Sequence, residues 1–134
     1  MKRKILSKLI EWKNKKNRKP LIVNGARQVG KTYILKEFGS HYYEKMAYVN
    51  CDKNKTLDKI FSQDYNISRI LLSLSAILHV NIEPENTLII FDEIQENPTV
   101  LNSLKYFCED ASQYHVAVAG SLLGISLHRD TSFP

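Results

Sequence analysis

The chain has 134 residues, of which 43% are hydrophobic, so it is long enough for one domain with a substantial core. Every apolar run is shorter than the roughly 18 residues that a membrane-spanning helix requires, which excludes an integral membrane segment and predicts a cytoplasmic protein. Cys51 and Cys108 are too few for a disulfide framework or a metal quartet, so we expect two free thiols and no structural metal.

The net charge of +5 is concentrated at the N-terminus. Residues 1–19 hold nine Lys/Arg and one acidic residue, whereas residues 20–134 hold ten basic and 13 acidic residues. The basic segment carries apolar residues at helical spacing, namely Ile5, Leu6, Leu9, Ile10 and Trp12. This pattern predicts an amphipathic helix packed on the core with its lysines in solvent. A contact with nucleic acid or an anionic membrane surface is the alternative.

Short apolar runs alternate with helical patterns along the rest of the chain. The strand candidates are residues 21–24, 47–50, 88–91 and 116–119. The helix candidates are residues 31–38, 67–78 and 99–111, the last entered through Asn97 and Pro98. Continuous apolar runs suit strands buried on both faces of a parallel sheet. Their alternation with helices predicts an α/β fold built of right-handed crossovers.

The segment between the first strand and the first helix reads GARQVGKT, residues 25–32, and matches the phosphate-binding pattern G-x-x-x-x-G-K-[ST]. Gly25 and Gly30 allow backbone angles that turn successive N–H groups toward a β-phosphate, and the helix N-terminus adds further donors. Lys31 is expected to reach the β- and γ-phosphates, and the Thr32 hydroxyl to ligate Mg²⁺. A tight turn that merely needs glycine is the structural alternative.

ATP and Mg²⁺ are therefore the predicted cofactors. The predicted nucleotide-binding residues are Gly25, Ala26, Arg27, Gln28, Val29, Gly30, Lys31, Thr32 and Tyr33, with Lys31 also acting in catalysis.

Two adjacent carboxylates follow the third strand candidate. At the carboxyl end of a buried strand, Asp92 can hold the Mg²⁺ shell together with Thr32, while Glu93 orients and polarises the attacking water. An ordinary strand end with an acidic cap is the alternative. The fourth strand runs into Ser121, which is expected either to sense the γ-phosphate or to cap the next turn.

These residues carry a resemblance to a known family. The stretches RKPLIVNGARQVGKTYIL, LIIFDEIQENP, LNSLKYFCED and VAVAGSLLGISL are similar to the AAA-type ATP-binding domain of a widespread prokaryotic ATPase family. Members of that family usually continue into a C-terminal domain of unknown function that resembles a restriction-endonuclease-like fold.

The resemblance implies a P-loop NTPase fold, a three-layer α/β/α sandwich of the additional-strand, catalytic-glutamate class. In that class the strand before Ser121 lies between the phosphate-loop strand and the strand that ends in Asp92. The resemblance also implies that Gly25, Gly30, Lys31 and Thr32 bind nucleotide, that Asp92 and Glu93 form the second motif, and that Ser121 is at the sensor position.

The resembling proteins carry a fifth core strand, a helical lid and the C-terminal domain, whereas this sequence stops at Pro134. We therefore expect an N-terminal helix over residues 1–19 and an ATP-binding domain over residues 20–134 that is truncated after the fourth core strand. The exposed first strand predicts a homo-oligomer. Partner nucleic acid or protein is expected to act through the missing C-terminal part.

The function predicted from these motifs is binding of Mg²⁺-ATP and hydrolysis that drives conformational change in a larger protein. The alternative is a nucleotide-dependent interaction or regulatory module with negligible turnover. A small-molecule kinase is disfavoured because the paired carboxylates suit activation of water.

Overall fold

The computed structural model describes residues 2–16, 18–24 and 29–121. Its helices are α1 (Lys2–Lys13), α2 (Val29–Tyr42), α3 (Lys55–Gln63), α4 (Ile67–Leu78) and α5 (Pro98–Asp110). Its strands are β1 (Leu21–Asn24), β2 (Lys45–Asn50), β3 (Thr87–Asp92) and β4 (His115–Gly120), and a 3₁₀ turn spans Ile94–Glu96. The predicted strands and helices are present, but α2 is longer than predicted and α1 ends at Lys13, not at residue 19. The sequence analysis did not predict α3 or the 3₁₀ turn.

Within the described residues the four strands form one parallel sheet in the order β1-β4-β3-β2. β4 pairs with β1 from Leu21↔Ala117 to Asn24↔Gly120, and β3 pairs with β2 from Lys45↔Thr87 to Asn50↔Asp92. The position of β4 between β1 and β3 confirms the strand order that the resemblance implies. Because all strands are parallel, their carboxyl ends lie along the same edge of the sheet.

Both faces of the sheet are covered, as the continuous apolar strands predict. Leu88 and Ile90 of β3 belong to an apolar cluster that also contains residues of α1 and α2. The alternate residues Ile89 and Phe91 belong to the cluster formed with α3, α4 and α5. Successive strand residues point to opposite faces, so one apolar strand serves two cores. The architecture is therefore a three-layer α/β/α sandwich, which confirms the predicted fold class.

Three asparagines determine where helices begin. The side chains of Asn54 and Asn66 accept hydrogen bonds from the backbone N–H groups of Leu57 and Arg69 at the starts of α3 and α4. Asn97 accepts from two backbone N–H groups at the start of α5, where Pro98 occupies the first turn. These caps satisfy donors that have no partner inside the helix, so each boundary is encoded locally.

The basic helix α1 packs on the face of the sheet that α2 also covers. Leu9 and Trp12 are buried in that cluster, whereas Lys4 and Lys8 are exposed. The Trp12 indole N–H donates to the Lys19 carbonyl at 2.6 Å, which fixes the turn between α1 and β1. The division of the chain at residue 19 stays a prediction, as does self-association.

Two further expectations concern the cysteines and the membrane. Cys51 and Cys108 are both free thiols, as predicted. In the part of the chain that the structure describes, no helix has the length and apolar character needed to cross a bilayer.

Candidate functional site

Several predicted site residues that the structure describes lie at the carboxyl edge of the sheet, namely Thr32, Asp92, Glu93 and Ser121. Asp92 is the last residue of β3, and Ser121 directly follows β4. Helix α2 begins at Val29, shortly after β1 ends at Asn24, which is paired with Gly120. Parallel packing of β1, β4 and β3 therefore brings the start of α2 and the ends of two other strands to one place.

A hydrogen bond joins the two predicted motifs directly. The Thr32 hydroxyl on the first turns of α2 donates to Asp92 Oδ2 at 3.0 Å, across 60 positions in sequence. Asp92 is 7% exposed, so its carboxylate is a buried polar group that requires hydrogen-bond donors. Thr32 and Asp92 were predicted to share one metal; the structure brings their oxygen atoms together, and the shared metal stays a prediction.

Tyr48 is a second donor to the same carboxylate oxygen. Its hydroxyl lies 2.5 Å from Asp92 Oδ2, and Lys36 Nζ lies 4.0 Å from the centroid of its ring. Burial, and then the hydrogen bond to Asp92, raises the pKa of the Tyr48 hydroxyl, so this group stays protonated and donates. The sequence analysis missed Tyr48, although its place near the carboxyl end of β2 is the signal that could have identified it.

Glu93 follows Asp92 in a left-handed backbone conformation, with φ of 53° and ψ of 46°. This region is rare for residues other than glycine and requires support from neighbouring groups. Part of that support is local, because the Glu93 N–H donates to Asp92 Oδ1 at 2.9 Å. The chain continues from Glu93 into the 3₁₀ turn, which packs against the end of β4.

Gln95 in the 3₁₀ turn contacts two predicted site residues. Its Nε2 donates to Glu93 Oε1 at 2.7 Å and lies 3.4 Å from Glu96 Oε2. Its Oε1 accepts from the backbone N–H of Ser121 at 3.1 Å. Gln95 was not predicted from the sequence, because no spacing rule assigns it to the end of β4.

The phosphate-loop residues Gly25, Ala26, Arg27 and Gln28 lie outside the described residues. Val29, Gly30 and Lys31 form the beginning of α2, and their side chains are likewise outside the description. Tyr33 is 52% exposed on α2, and its hydroxyl donates to Glu37 Oε2 at 2.8 Å. The described side chains of the site are therefore those of Thr32, Tyr33, Tyr48, Asp92, Glu93, Gln95 and Ser121.

The oxygen atoms of Thr32 and Asp92 are of the kind that Mg²⁺ takes. This ion usually binds one or two protein oxygens and completes an octahedral shell with water and phosphate. Within residues 2–16, 18–24 and 29–121 there is no group of three or more His, Cys, Asp or Glu side chains suited to a metal cage. The donor set thus fits a metal held jointly by protein and nucleotide.

A protein-family model described as an AAA domain matches residues 17–133. The chain belongs to this family. The AAA domain is accordingly a nucleotide-binding, ATPase-like domain, and α1 ends before the matched region begins. No curated protein and no solved structure matches the chain.

Proposed function

We propose that this AAA domain binds Mg²⁺-ATP and hydrolyses it to ADP and phosphate to drive a conformational change. The observation that carries the proposal is the 3.0 Å contact between Thr32 Oγ1 and Asp92 Oδ2. It brings together a hydroxyl that follows a G-x-x-x-x-G-K pattern and a carboxylate at the end of a buried strand. That pairing is the one that holds Mg²⁺ in P-loop NTPases.

Residues 25–32 bind the phosphates in this proposal. Backbone N–H groups of the glycine-containing loop and the start of α2 donate to the β-phosphate, and Lys31 contributes a positive charge at the β- and γ-phosphates. Tyr33, exposed on the next position of α2, is assigned to the nucleotide as well.

Asp92 and Thr32 would hold Mg²⁺, and the ion would neutralise charge on the phosphoryl oxygens. Asp92 is suited to this role because three donors orient its carboxylate. These donors are the hydroxyls of Thr32 and Tyr48 and the backbone N–H of Glu93. A carboxylate fixed in this way loses little freedom when it takes a ligand.

Glu93 is assigned to the attacking water. Gln95 engages Glu93 Oε1, and we assign Oε2 to accept a hydrogen bond from the water and orient it toward the γ-phosphorus. Ser121, at the end of the neighbouring strand β4, is assigned to the γ-phosphate. In this proposal the two acidic residues have different roles, because Asp92 binds the metal and Glu93 orients the attacking water.

The test combines calorimetric titration with ATP, ADP and GTP, in Mg²⁺ or EDTA, with an assay of phosphate release. Lys31→Ala should abolish binding of Mg²⁺-ATP because it removes the positive charge that Lys31 contributes at the β- and γ-phosphates. Lys59→Ala, which removes an exposed lysine from α3, is the matched control and should bind ATP like the wild type. Equal affinities of the wild type and Lys31→Ala would refute the proposal.

Glu93→Gln separates binding from chemistry. It should leave ATP affinity within a few-fold while lowering phosphate release by about a hundredfold, because the amide cannot take a proton from water. If the wild-type chain binds ATP through Lys31 but releases no phosphate, the interaction or regulatory module is the correct function.

A further inference from the structure

Both ends of the Gln95 side-chain amide form hydrogen bonds. One side donates to the Glu93 carboxylate at 2.7 Å, and the other accepts from the Ser121 backbone N–H at 3.1 Å. A carboxylate only accepts and a backbone N–H only donates, so a single orientation of the amide satisfies both neighbours. Gln95 therefore connects the end of β4 with a residue just beyond β3.

Gly120 provides the space for this connection. Its φ is +152°, which side-chain-bearing residues rarely adopt, and a Cβ atom there would overlap Gln95 Oε1. The same Cβ would lie 3.0 Å from the backbone nitrogen of Ile94. The close approach of the 3₁₀ turn to β4 thus depends on a glycine at this position.

Glu93 depends on such support because of its backbone. A non-glycine residue at φ of 53° persists only where surrounding contacts hold it. Its N–H is bound by Asp92, and its carboxylate is bound by Gln95. Removal of Gln95 would leave the carboxylate able to sample other rotamers, with no change at Thr32 or Asp92.

We propose that Gln95 is a positioning residue, which fixes the Glu93 carboxylate relative to Gly120 and Ser121 so that a shift at the end of β4 reaches Glu93. This role rests on the proposed function, because it acts on the carboxylate assigned to the attacking water. It predicts that Gln95 governs turnover and not nucleotide affinity.

Two substitutions test this role in the full chain. Gln95→Ala removes the whole amide, whereas Gln95→Glu keeps the shape and an acceptor for the Ser121 N–H but places a second carboxylate beside Glu93. Each should lower kcat for ATP about tenfold or more and leave the Kd for Mg²⁺-ATP within about threefold. The control is Gln63→Ala, because Gln63 is exposed on α3 and, among the described residues, its side chain donates only to the Lys59 carbonyl of its own helix. It should match the wild type.

A double-mutant cycle distinguishes positioning from a general structural defect. Once Glu93→Gln has removed the catalytic carboxylate, Gln95→Ala should cause no further loss of kcat, because the two residues act as one unit. In addition, hydrogen exchange of the Ser121 amide should accelerate in Gln95→Ala and not in Gln95→Glu, which retains the acceptor.

The outcomes separate the two hypotheses. A wild-type kcat in both Gln95 variants, or additive losses in the cycle, would overturn the role of Gln95 and leave ATP hydrolysis intact. A wild-type chain that releases no phosphate would refute hydrolysis, and the role of Gln95 would be refuted with it even if Ser121 exchange responds as expected. If Gln95→Ala does not fold, the kcat and the Kd for Mg²⁺-ATP of Gln95→Glu decide whether Gln95 has this role.

Discussion

The acid sensitivity of this fold should depend on His115, the first residue of β4. Its side chain is 2% exposed, with the Tyr43 hydroxyl 2.5 Å from Nδ1 and the Trp12 ring edge-on at 5.7 Å between centroids. Nε2 is buried and has no hydrogen-bond partner among the described residues. Burial, and then the positive charges of Arg18 and Lys13, lowers the pKa of His115 from 6.5 to about 4. The folded state therefore holds this histidine neutral.

The sign of the pH effect follows from proton uptake in the two states. Between about pH 6.5 and pH 4 the unfolded chain binds a proton at His115 that the folded chain does not bind. The free energy of unfolding consequently falls as the pH decreases through this window. The difference between the pKa of His115 in the unfolded chain and its pKa in the folded chain corresponds to about 3 kcal/mol, at roughly 1.36 kcal/mol per pKa unit. That is a large share of the roughly 5 to 15 kcal/mol that stabilises a typical domain.

Urea unfolding at about pH 7 and about pH 4.5 measures the effect, with the fluorescence of Trp12, the single tryptophan, as the probe. Other groups also titrate in this range, so the variant His115→Asn supplies the comparison. Its stability should fall by about 2 to 3 kcal/mol less than that of the wild type between the two pH values. His41→Gln, at an exposed position near the end of α2, is the control and should behave like the wild type. The same acid loss in wild type and His115→Asn would refute the reasoning.

Three other predictions follow from separate parts of the fold. Tyr48→Phe removes a donor to Asp92 and should weaken Mg²⁺-dependent ATP affinity about tenfold; an equal loss in EDTA would contradict a role at the metal. Gly39→Ala should destabilise the chain by about 1 kcal/mol in urea, because overlap of the new Cβ with Met46 outweighs the roughly 1 kcal/mol gained from the higher helix propensity of alanine in α2; the loss should disappear when Gly39→Ala is made in a Met46→Ala chain. Light scattering should show a dimer or larger assembly because β1 is paired only with β4 in the described sheet; a monodisperse monomer at high concentration would reject this.

The strands could be predicted from sequence because burial on both faces leaves a strong local signal. All six residues of β3 are buried, and the apolar run from Leu88 to Phe91 marks that strand without any tertiary information. Helix α3 is harder to recognise. It has nine residues, its buried side chains are Leu57, Ile60 and Phe61, and its start depends on the Asn54 cap. These three apolar residues do recur at i, i+3 and i+4, but the stripe is half as long as the six-residue stripe of α4, so a short regular pattern was overlooked.

The candidate site likewise contains residues that the sequence predicts and residues that it does not. Asp92 could be predicted because it follows a buried strand, and its contact with Thr32 follows from parallel strands that end at one edge. Gln95 could not, because its role depends on the left-handed turn at Glu93. Tyr48 is marked only weakly, by its place near the carboxyl end of β2, because its contact with Asp92 depends on strand register. Neither register nor a single positive φ leaves a pattern that one sequence reveals.

Asp92 and Glu93 are neighbours in sequence, yet different elements hold their side chains. Asp92 is oriented by α2 and β2 through the hydroxyls of Thr32 and Tyr48, whereas the Glu93 carboxylate is tied through Gln95 to the end of β4. The left-handed conformation of Glu93 accompanies this division, in which two consecutive carboxylates have different hydrogen-bond partners. Metal binding and activation of water can therefore be perturbed independently. A Tyr48 variant should alter the metal dependence with little change in turnover at saturating Mg²⁺, and a Gln95 variant should do the opposite. If each variant altered both properties equally, the two carboxylates would have to be regarded as one rigid unit, contrary to the contacts that hold them.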